Sequence, residues 1–543
     1  MSLDGTSWDY IVIGAGSAGC VVANRLSADP STRVLLLEAG GSDKSIFIQM
    51  PAATYVNAIG NPKFDWMYPV EADPTLGGRS NIWPRGKVLG GTSSINGMLY
   101  IRGFPQDYDG WRQLGNVGWG WDDVLPLFRR QEDNVRGASG HHGAGGPLKI
   151  ADLQQPHATA KAFLRSAAAC GHALLPDLNG PETAGFGFVQ ATQHKGWRCS
   201  AAKAFIDPVR HRRNLLVATR SLARRVHFAA GRAVAVEADI KGNCCRMNVG
   251  GEVVVCCGAI ASPHLLMLSG VGDPQELERH GIAMVVERSG VGRNLQDHPG
   301  IAMTYEVSIP TYNSEMALWK KALHGANWLL RGRGAGTTPD AHVVGFVHSD
   351  TSLDLPDIQV HFTPAGYRVA GEGDLILEQD SFTVIASVCR PRSRGSIGLS
   401  SPDPKAPPAI RHRLFADPDD RDRLGRGIRA VRRIVSSAPL ASLVTRPLEP
   451  GWVAQPDDAT MASYLTANAG TIYHPSGTCR MGVDADSVVD PRLRLRGAQN
   501  VRIADASIMP SVTSGNLNAP CMMIGEKAAE LILGDRGGGM AAR

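Results

Sequence analysis

The sequence lacks several features that would define its class at once. No stretch approaches the roughly 18 consecutive apolar residues of a membrane-spanning helix, so nothing in the chain is predicted to cross a bilayer. Aromatic residues make up only 6% of the chain, and no basic patch alternates with aromatics as in a nucleic-acid-binding module. The ten cysteines form no C-x-x-C repeat and no His/Cys metal spacing. We therefore expect neither a nucleic-acid partner nor a bound metal.

The charge balance is also weak, at +5 over 543 residues. A composition of 43% hydrophobic and 20% charged residues is that of an ordinary globular protein. The basic clusters at 210–213 and 421–433 are expected to be solvated surfaces, with contact to phospholipid or an acidic partner as the alternative. The first residues do not resemble a signal peptide. We expect free thiols and a cytoplasmic location, and leave peripheral contact with the inner membrane open.

The most informative segment lies near the N-terminus. An apolar strand is predicted at 10–13, a helix at 17–27 and a second strand at 33–37, with glycines at 14, 16 and 19 between the first two. Gly14 permits a tight turn, Gly16 lets a pyrophosphate approach the backbone, and Gly19 lets helix and strand pack closely. Glu38 follows Gly19 by the distance expected of a ribose ligand. This arrangement predicts a dinucleotide site.

The rest of the chain predicts two sheets. A small antiparallel meander is expected over 215–258, and strands of a second sheet at 356–362, 381–390 and 395–401. An amphipathic helix is expected over 417–438. A strand at 500–504 and a helix opening near 519–520 are expected to belong to the dinucleotide-binding domain. The predicted fold class is α/β, with a Rossmann-like domain made of 1–156, 195–305 and 470–543. An α+β substrate domain of 157–194 and 306–469, an antiparallel sheet flanked by helices, is inserted into it.

Five blocks carry a family resemblance. PRGKVLGGTSSINGMLYIRG (84–103) and GAIASPHLLMLSGVG (258–272) resemble the two signature patterns of the glucose–methanol–choline (GMC) oxidoreductases. VGRNLQDHPG (291–300), YHPSGTCRMG (473–482) and GNLNAPCMMIGEKAAE (515–530) also look like blocks of this family, in its order and spacing. The resemblance covers about residues 8 to 533. It is greatest to the bacterial branch of choline, medium-chain alcohol, polyethylene-glycol and sorbose dehydrogenases.

The resemblance implies FAD as the cofactor, bound without a covalent link. Some members attach FAD through a histidine, and Ile95 stands at that position here. Residues Gly91 and Asn96 match positions beside the flavin ring, and Val226 is expected to meet adenine through its backbone. The full set of expected cofactor contacts is Gly14, Gly16, Ser17, Ala18, Gly19, Glu38, Ala39, Trp66, Arg85, Val88, Gly91, Thr92, Asn96, Gly97, Met98, Val226, Asp505, Ala506, Asn518, Ala519 and Pro520.

The same resemblance places His474 in front of the flavin with Asn518 as its partner. Oxidation of an alcohol removes a hydride from carbon and a proton from oxygen, and a histidine is suited to accept that proton. Asn518 is expected to orient the hydroxyl oxygen. His361 and Tyr473 are expected to line the substrate side, although each could equally be a packing residue. Asp297 and His298 are expected to be structural supports.

The predicted activity is FAD-dependent oxidation of a primary alcohol or polyol, with electrons passing to a quinone or another acceptor. Oxygen remains open as the acceptor, and so does the oligomeric state. Choline is the competing substrate, although the sequence does not reveal the aromatic cage or buried carboxylate that a trimethylammonium group needs. A non-redox hydroxynitrile lyase is the alternative from a different class, because fold alone does not fix function.

Overall fold

The N-terminal segment folds as predicted. In the structure, a computed structural model that describes residues 3–370, 373–452 and 455–540, strand Ser7–Ile13, helix Ser17–Leu26 and strand Val34–Glu38 follow one another. Gly14 has a φ of +95°, and a Cβ there would lie 2.5 Å from the Cys256 carbonyl oxygen. A Cβ on Gly19 would lie 1.9 Å from the Gly14 carbonyl oxygen. Both positions therefore require glycine for the reasons inferred from the sequence.

The first sheet is built from both ends of the chain. Its strands lie in the order Leu215–Thr219, Val34–Glu38, Ser7–Ile13, Asn243–Val255, Arg232–Ile240 and Ser221–Ala229, and Val501–Ile503 pairs with Asn243–Val255. Three of the four runs predicted over 215–258 form the antiparallel meander. The first run differs, because it pairs in parallel with Val34–Glu38. Arg220, with a φ of +54°, turns the chain between the two arrangements.

The second sheet is antiparallel throughout. Its strands lie in the order Val444–Glu449, Pro299–Val307, Ser381–Val388, Ile358–Thr363, Val343–Val347 and Gly185–Phe188, and Gly470–Thr471 pairs with Pro299–Val307. The strand predicted at 395–401 does not join this sheet. Ser396–Gly398 pairs with Ala409–Arg411 in a two-stranded ribbon, because Gly395 is hydrogen-bonded to Leu295 of a different loop.

Helices cover both sheets. Helix Pro418–Val435, predicted at 417–438, begins with Asp417 accepting a hydrogen bond from the Asp419 backbone N–H. It packs on the second sheet with Ala158–Ala169 and, beside it, Asp458–Asn468. The terminal helix Asn518–Met540 packs on Ser17–Leu26. The other α-helices of the described residues are Ile46–Gln49, Pro51–Asn57, Pro105–Gln113, Trp121–Gln131, Gly258–Leu268, Pro274–Arg279 and Leu318–Arg331.

Across residues 3–370, 373–452 and 455–540, no helix is both long and apolar enough to traverse a bilayer. The division into two domains remains a prediction at the residue level, and strand Pro299–Val307 of the second sheet crosses its expected boundary at 305.

Candidate active site

A cavity of about 890 Å³ lies between the first and second sheets. This volume is at the upper end of the range for ligand pockets, which is about 300–1,000 Å³. Most of the residues singled out in the sequence line it: Gly14, Gly16, Ser17, Ala18, Glu38, Ala39, Trp66, Arg85, Gly91, Thr92, Asn96, Gly97, Met98, His361, Tyr473, His474, Asp505, Ala506 and Asn518. The fold thus brings segments from five distant parts of the chain to one space.

Four of the remaining predicted residues do not line the cavity and instead pack behind the residues that do. Gly19 packs against the Gly14 turn, and the side chain of Val88 is fully buried in a small cluster with Ile48 and Ile95. Ala519 and Pro520 are buried in the first turn of the terminal helix. Any contact of these residues with a ligand would have to come from the backbone.

Val226 lies outside the cavity lining, contrary to the contact expected from the sequence. Its backbone N–H already donates to the hydroxyl oxygen of Ser269 at 2.9 Å. Ala223, three residues earlier in the same strand, lines the cavity instead. The start of this strand, Ser221 to Ala223, is therefore the part that is available to a nucleotide.

The nucleotide end of the cavity has the features that a dinucleotide needs. Both carboxylate oxygens of Glu38 accept backbone N–H groups, from Ala15 at 3.0 Å and Gly40 at 2.8 Å. Burial raises the pKa of Glu38 to about 7, against the lowering effect of these two bonds. A Cβ on Gly16 would meet no protein atom nearer than 4.0 Å, so a side chain there would fill the space that a pyrophosphate requires. The first residues of two helices, at Ser17 and Asn518, line the same space.

The opposite end of the cavity contains His474. The preceding residue, Tyr473, has a φ of +65°, and its carbonyl oxygen accepts a hydrogen bond from the Arg85 guanidinium. The Asp297 carboxylate accepts the backbone N–H groups of both His474 and His298 at 2.7 Å. A strained residue and a buried carboxylate therefore fix the backbone that carries the histidine.

A chain of hydrogen bonds determines which nitrogen of His474 is free. Nε2 of His298 lies 3.1 Å from the Thr513 carbonyl oxygen, which only accepts, so Nε2 carries the hydrogen of neutral His298. Nδ1 of His298 is then an acceptor, and it lies 3.0 Å from Nδ1 of His474. His474 donates from Nδ1, and its Nε2 is left as the basic nitrogen.

Electrostatics keep both rings neutral. Burial lowers the pKa of His298 to about 4. Burial also lowers the pKa of His474 well below its usual value, and the nearby His298, His361 and Arg85 lower it further. His474 is therefore unprotonated near pH 7, in the form that a proton acceptor requires.

The structure corrects the partner predicted for His474. Asn516, not Asn518, faces it: Nδ2 of Asn516 lies 3.3 Å from Nε2 of His474. The side-chain oxygen of Asn516, Oδ1, accepts a hydrogen bond from Nε2 of Gln359 at 3.2 Å, which orients the side-chain amide. Asn518 instead accepts a hydrogen bond from the Ser17 hydroxyl at 2.8 Å, at the nucleotide end.

Two charged residues near the cavity carry no sequence signal. Arg198 is fully buried and donates to the Asn96 side chain at 3.0 Å, and burial lowers the pKa of Arg198 to about 9. Asp340 lines the cavity beside Gly97, and burial raises its pKa to about 6. Within the described residues, the Asp340 carboxylate has no hydrogen-bond or salt-bridge partner. Neither residue belongs to a sequence motif; the tertiary fold brings each of them to the cavity.

Comparison with known proteins identifies the family. Two family models, both described as GMC oxidoreductase, match residues 8–300 and 391–525. The chain belongs to the GMC oxidoreductase family. Mitochondrial choline dehydrogenase from Homo sapiens is 40% identical over 97% of this GMC oxidoreductase and 90% of its own length. Alcohol dehydrogenase [acceptor] from Pseudomonas putida is 41% identical over 97% of this chain and 96% of its own length.

Solved structures agree with this assignment. The crystal structure of pyridoxine 4-oxidase from Mesorbium loti superposes on the GMC oxidoreductase described here with a TM-score of 0.86, at 32% identity. It covers 96% of this chain and 98% of its own. This likeness and the family models confirm the predicted α/β fold class and FAD as the cofactor.

The residues present fit FAD. The open Gly16 turn, the buried Glu38 and the two helix N-termini match what the ribose and pyrophosphate parts need. Ile95, at the position where some members carry a linking histidine, lines the cavity with an apolar side chain. Among the residues that the structure describes, no three His, Cys, Asp or Glu side chains are grouped to hold a metal.

Proposed function

We propose that this GMC oxidoreductase oxidises a primary alcohol or polyol to the carbonyl compound, with His474 as the general base. The observation that carries the proposal is the hydrogen-bond chain that leaves Nε2 of a buried, neutral His474 unprotonated inside the FAD cavity. A nearby oriented amide, on Asn516, supports it. FAD, when bound, supplies the hydride acceptor for the carbinol carbon.

The protein residues divide the remaining work. Nε2 of His474 accepts the hydroxyl proton, because an alkoxide releases hydride far more readily than a neutral alcohol. The Asn516 N–H donates to the same oxygen and holds it in place as charge develops there. His361, with a pKa lowered to about 4 by burial against the raising effect of a hydrogen bond to Asn516, lines the cavity as a neutral side chain. Tyr473 forms part of the cavity wall.

We extend the proposal to the electron acceptor and location. The Pseudomonas putida relative is named for an unspecified acceptor, and the human relative is named as mitochondrial. By analogy with the first of these, electrons pass from this protein to a quinone or another acceptor. The location expected from the sequence is the cytoplasm, with peripheral contact with the inner membrane left open. The FAD is held without a covalent bond, since Ile95 offers no nucleophile.

A second candidate, oxidation of choline, is favoured by one observation. The isolated carboxylate of Asp340 lies in the cavity near Tyr367, whose pKa is raised by burial and by Asp340. The rings of Tyr55 and Tyr367, both of which line the cavity, are 5.6 Å apart. A carboxylate beside aromatic rings is the environment that binds a trimethylammonium group.

An anaerobic panel of alcohols with the FAD-loaded protein tests the function. Bleaching of the flavin absorbance by alcohols supports the proposal, and cyanide release from mandelonitrile without bleaching would establish the lyase. His474→Ala should retain FAD and slow flavin reduction by about 10²–10⁴. A loss of less than about tenfold would remove His474 from the role of base. Flavin that stays with the chain after acid denaturation would contradict non-covalent binding.

A further inference from the structure

Helix Leu318–Arg331 exposes most of its large apolar side chains to solvent instead of burying them. Of its fourteen residues, all described, Trp328 is the one that is buried. The large apolar side chains face solvent, including Leu318 at 84%, Trp319 at 68% and Leu330 at 81% exposure. With 3.6 residues per turn, Leu318, Trp319, Leu323, Leu329 and Leu330 share one face, opposite Trp328. We call these five residues the apolar stripe.

The outward orientation of the stripe is fixed by the opposite face of the helix. The Trp328 indole N–H donates to the Gly196 carbonyl oxygen at 2.8 Å, and its ring lies 4.0 Å from that of Trp197. The helix ends at Gly332, with a φ of +61°, and a Cβ there would lie 2.2 Å from the Lys195 carbonyl oxygen. The helix therefore could not rotate to bury the stripe without losing these contacts. An exposed apolar surface of this kind indicates a docking site.

The charges around the stripe indicate what docks there. The helix contains no Asp or Glu, and it carries Lys320, Lys321 and Arg331, followed by Arg333. Lys320 pairs with Glu315 at 3.2 Å. In the described part of the chain, no carboxylate lies within 4.0 Å of the cationic groups of the other three. A helix with one apolar face and unpaired cations on its flanks is suited to lie in the headgroup region of an anionic bilayer.

The apolar surface continues toward the cavity. The turn Ala335–Thr337 packs both on helix Leu318–Arg331 and on helix Pro51–Asn57. In the second of these helices, Val56 is exposed while Tyr55 lines the cavity. Ile46 and Phe47 are exposed on the adjacent helix Ile46–Gln49. The stripe is thus connected, through the turn Ala335–Thr337, to helix Pro51–Asn57, which lines the cavity with Tyr55.

We propose that the apolar stripe docks this protein on an anionic lipid bilayer, with the neighbouring cavity wall turned toward the membrane. A substrate or acceptor that dissolves in lipid, such as an apolar alcohol or a quinone, would then exchange with the cavity at the bilayer surface. This role in exchange rests on the proposed function, whereas the docking does not.

Vesicle flotation of the FAD-loaded protein tests the proposal. Wild type should float with vesicles of phosphatidylcholine and phosphatidylglycerol, and float less with phosphatidylcholine alone or in high salt. Leu323→Asp with Leu330→Asp should lower the partition constant by at least about tenfold. The matched control is Val117→Asp with Val483→Asp, which changes two exposed valines elsewhere and should float like wild type.

Three outcomes would overturn the proposal: wild type that stays with the unbound fraction, a stripe variant that floats equally well, or a control variant that loses flotation equally. A stripe that holds two copies of the chain together, seen as a dimer in the wild type and a monomer in the stripe variant without vesicle binding, would also overturn it. Dye reduction with a water-soluble alcohol in the same samples should be equal in all variants. Flotation without any alcohol oxidation would reject the proposed function and leave the docking intact.

Discussion

The two asparagines in GNLNAP offer the sharpest test of the candidate site. Asn516 donates toward Nε2 of His474, whereas Asn518 accepts from Ser17 at the nucleotide end. Replacing Asn516 by Ala removes a preorganised donor at the oxygen on which charge develops, and such a loss costs about 2.7–4 kcal/mol, or 10²–10³ in rate. Replacing Asn518 by Ala removes one partly buried hydrogen bond, worth about 0.5–1.5 kcal/mol, or roughly two- to tenfold in FAD affinity.

The assay is anaerobic stopped-flow reduction of the bound flavin, with each rate corrected for FAD content. Asn516→Ala should retain FAD and lose about two orders of magnitude in the limiting rate constant. Asn518→Ala should lose FAD more readily and keep a limiting rate within about threefold of wild type. The opposite result, slow reduction in Asn518→Ala and normal reduction in Asn516→Ala, would refute the reasoning and restore the pairing expected from the sequence.

Three further predictions concern charged and titratable groups. His298→Ala leaves Nδ1–H of His474 without its acceptor and should lower kcat/KM about 5- to 150-fold. Asp340→Asn should raise KM for choline at least about tenfold and leave KM for the neutral isostere 3,3-dimethyl-1-butanol unchanged. Burial opposes ionisation of His142, yet the hydrogen bonds that its ring donates to the carboxylates of Asp177 and Glu132 raise the pKa of His142 to about 9. Its contribution to stability, of order 1–3 kcal/mol, is complete below pH 6.5 and is lost as pH rises through 9. Thermal melts of His142→Gln should therefore fall below those of wild type at pH 6 and converge with them above pH 9.

The sequence predicts best where function is built from neighbouring residues. Gly14, Gly19 and Glu38 act within one strand–helix–strand unit, so their spacing alone specifies the turn, the packing and the ribose position. Most of the predicted cofactor residues line one cavity because the motifs that contain them form its loops. The same local reasoning found the helix over 417–438.

The sequence predicts less well where a side chain's direction depends on tertiary contacts. Asn516 and Asn518 are two residues apart, and the terminal helix begins at Asn518, so their side chains point to opposite ends of the cavity. The helix start predicted near 519–520 is close to the observed start at Asn518, but the sequence does not show which asparagine faces His474. The adenine contact predicted for Val226 is not seen for a similar reason: its backbone N–H is hydrogen-bonded to Ser269, 43 residues away. No sequence motif predicts a role for Asp340, since only the fold brings it beside Gly97.

The environment of His474 resolves an apparent conflict between its burial and its task. Burial keeps the imidazole neutral, which a base requires, but it also disfavours the imidazolium that forms when the hydroxyl proton arrives. The neighbouring groups offset this cost: His298 accepts from Nδ1–H and passes the polarisation to the Thr513 carbonyl, and Asp297 lies against the backbone of both histidines. Burial raises the pKa of Asp297 to about 6, although Arg85 lowers it, so the carboxylate is mostly ionised at pH 7. A negative charge is thus held beside the site where positive charge appears. The low pKa of His474 before substrate binds therefore means that the base is unprotonated. Its basicity rises when an alkoxide forms next to it.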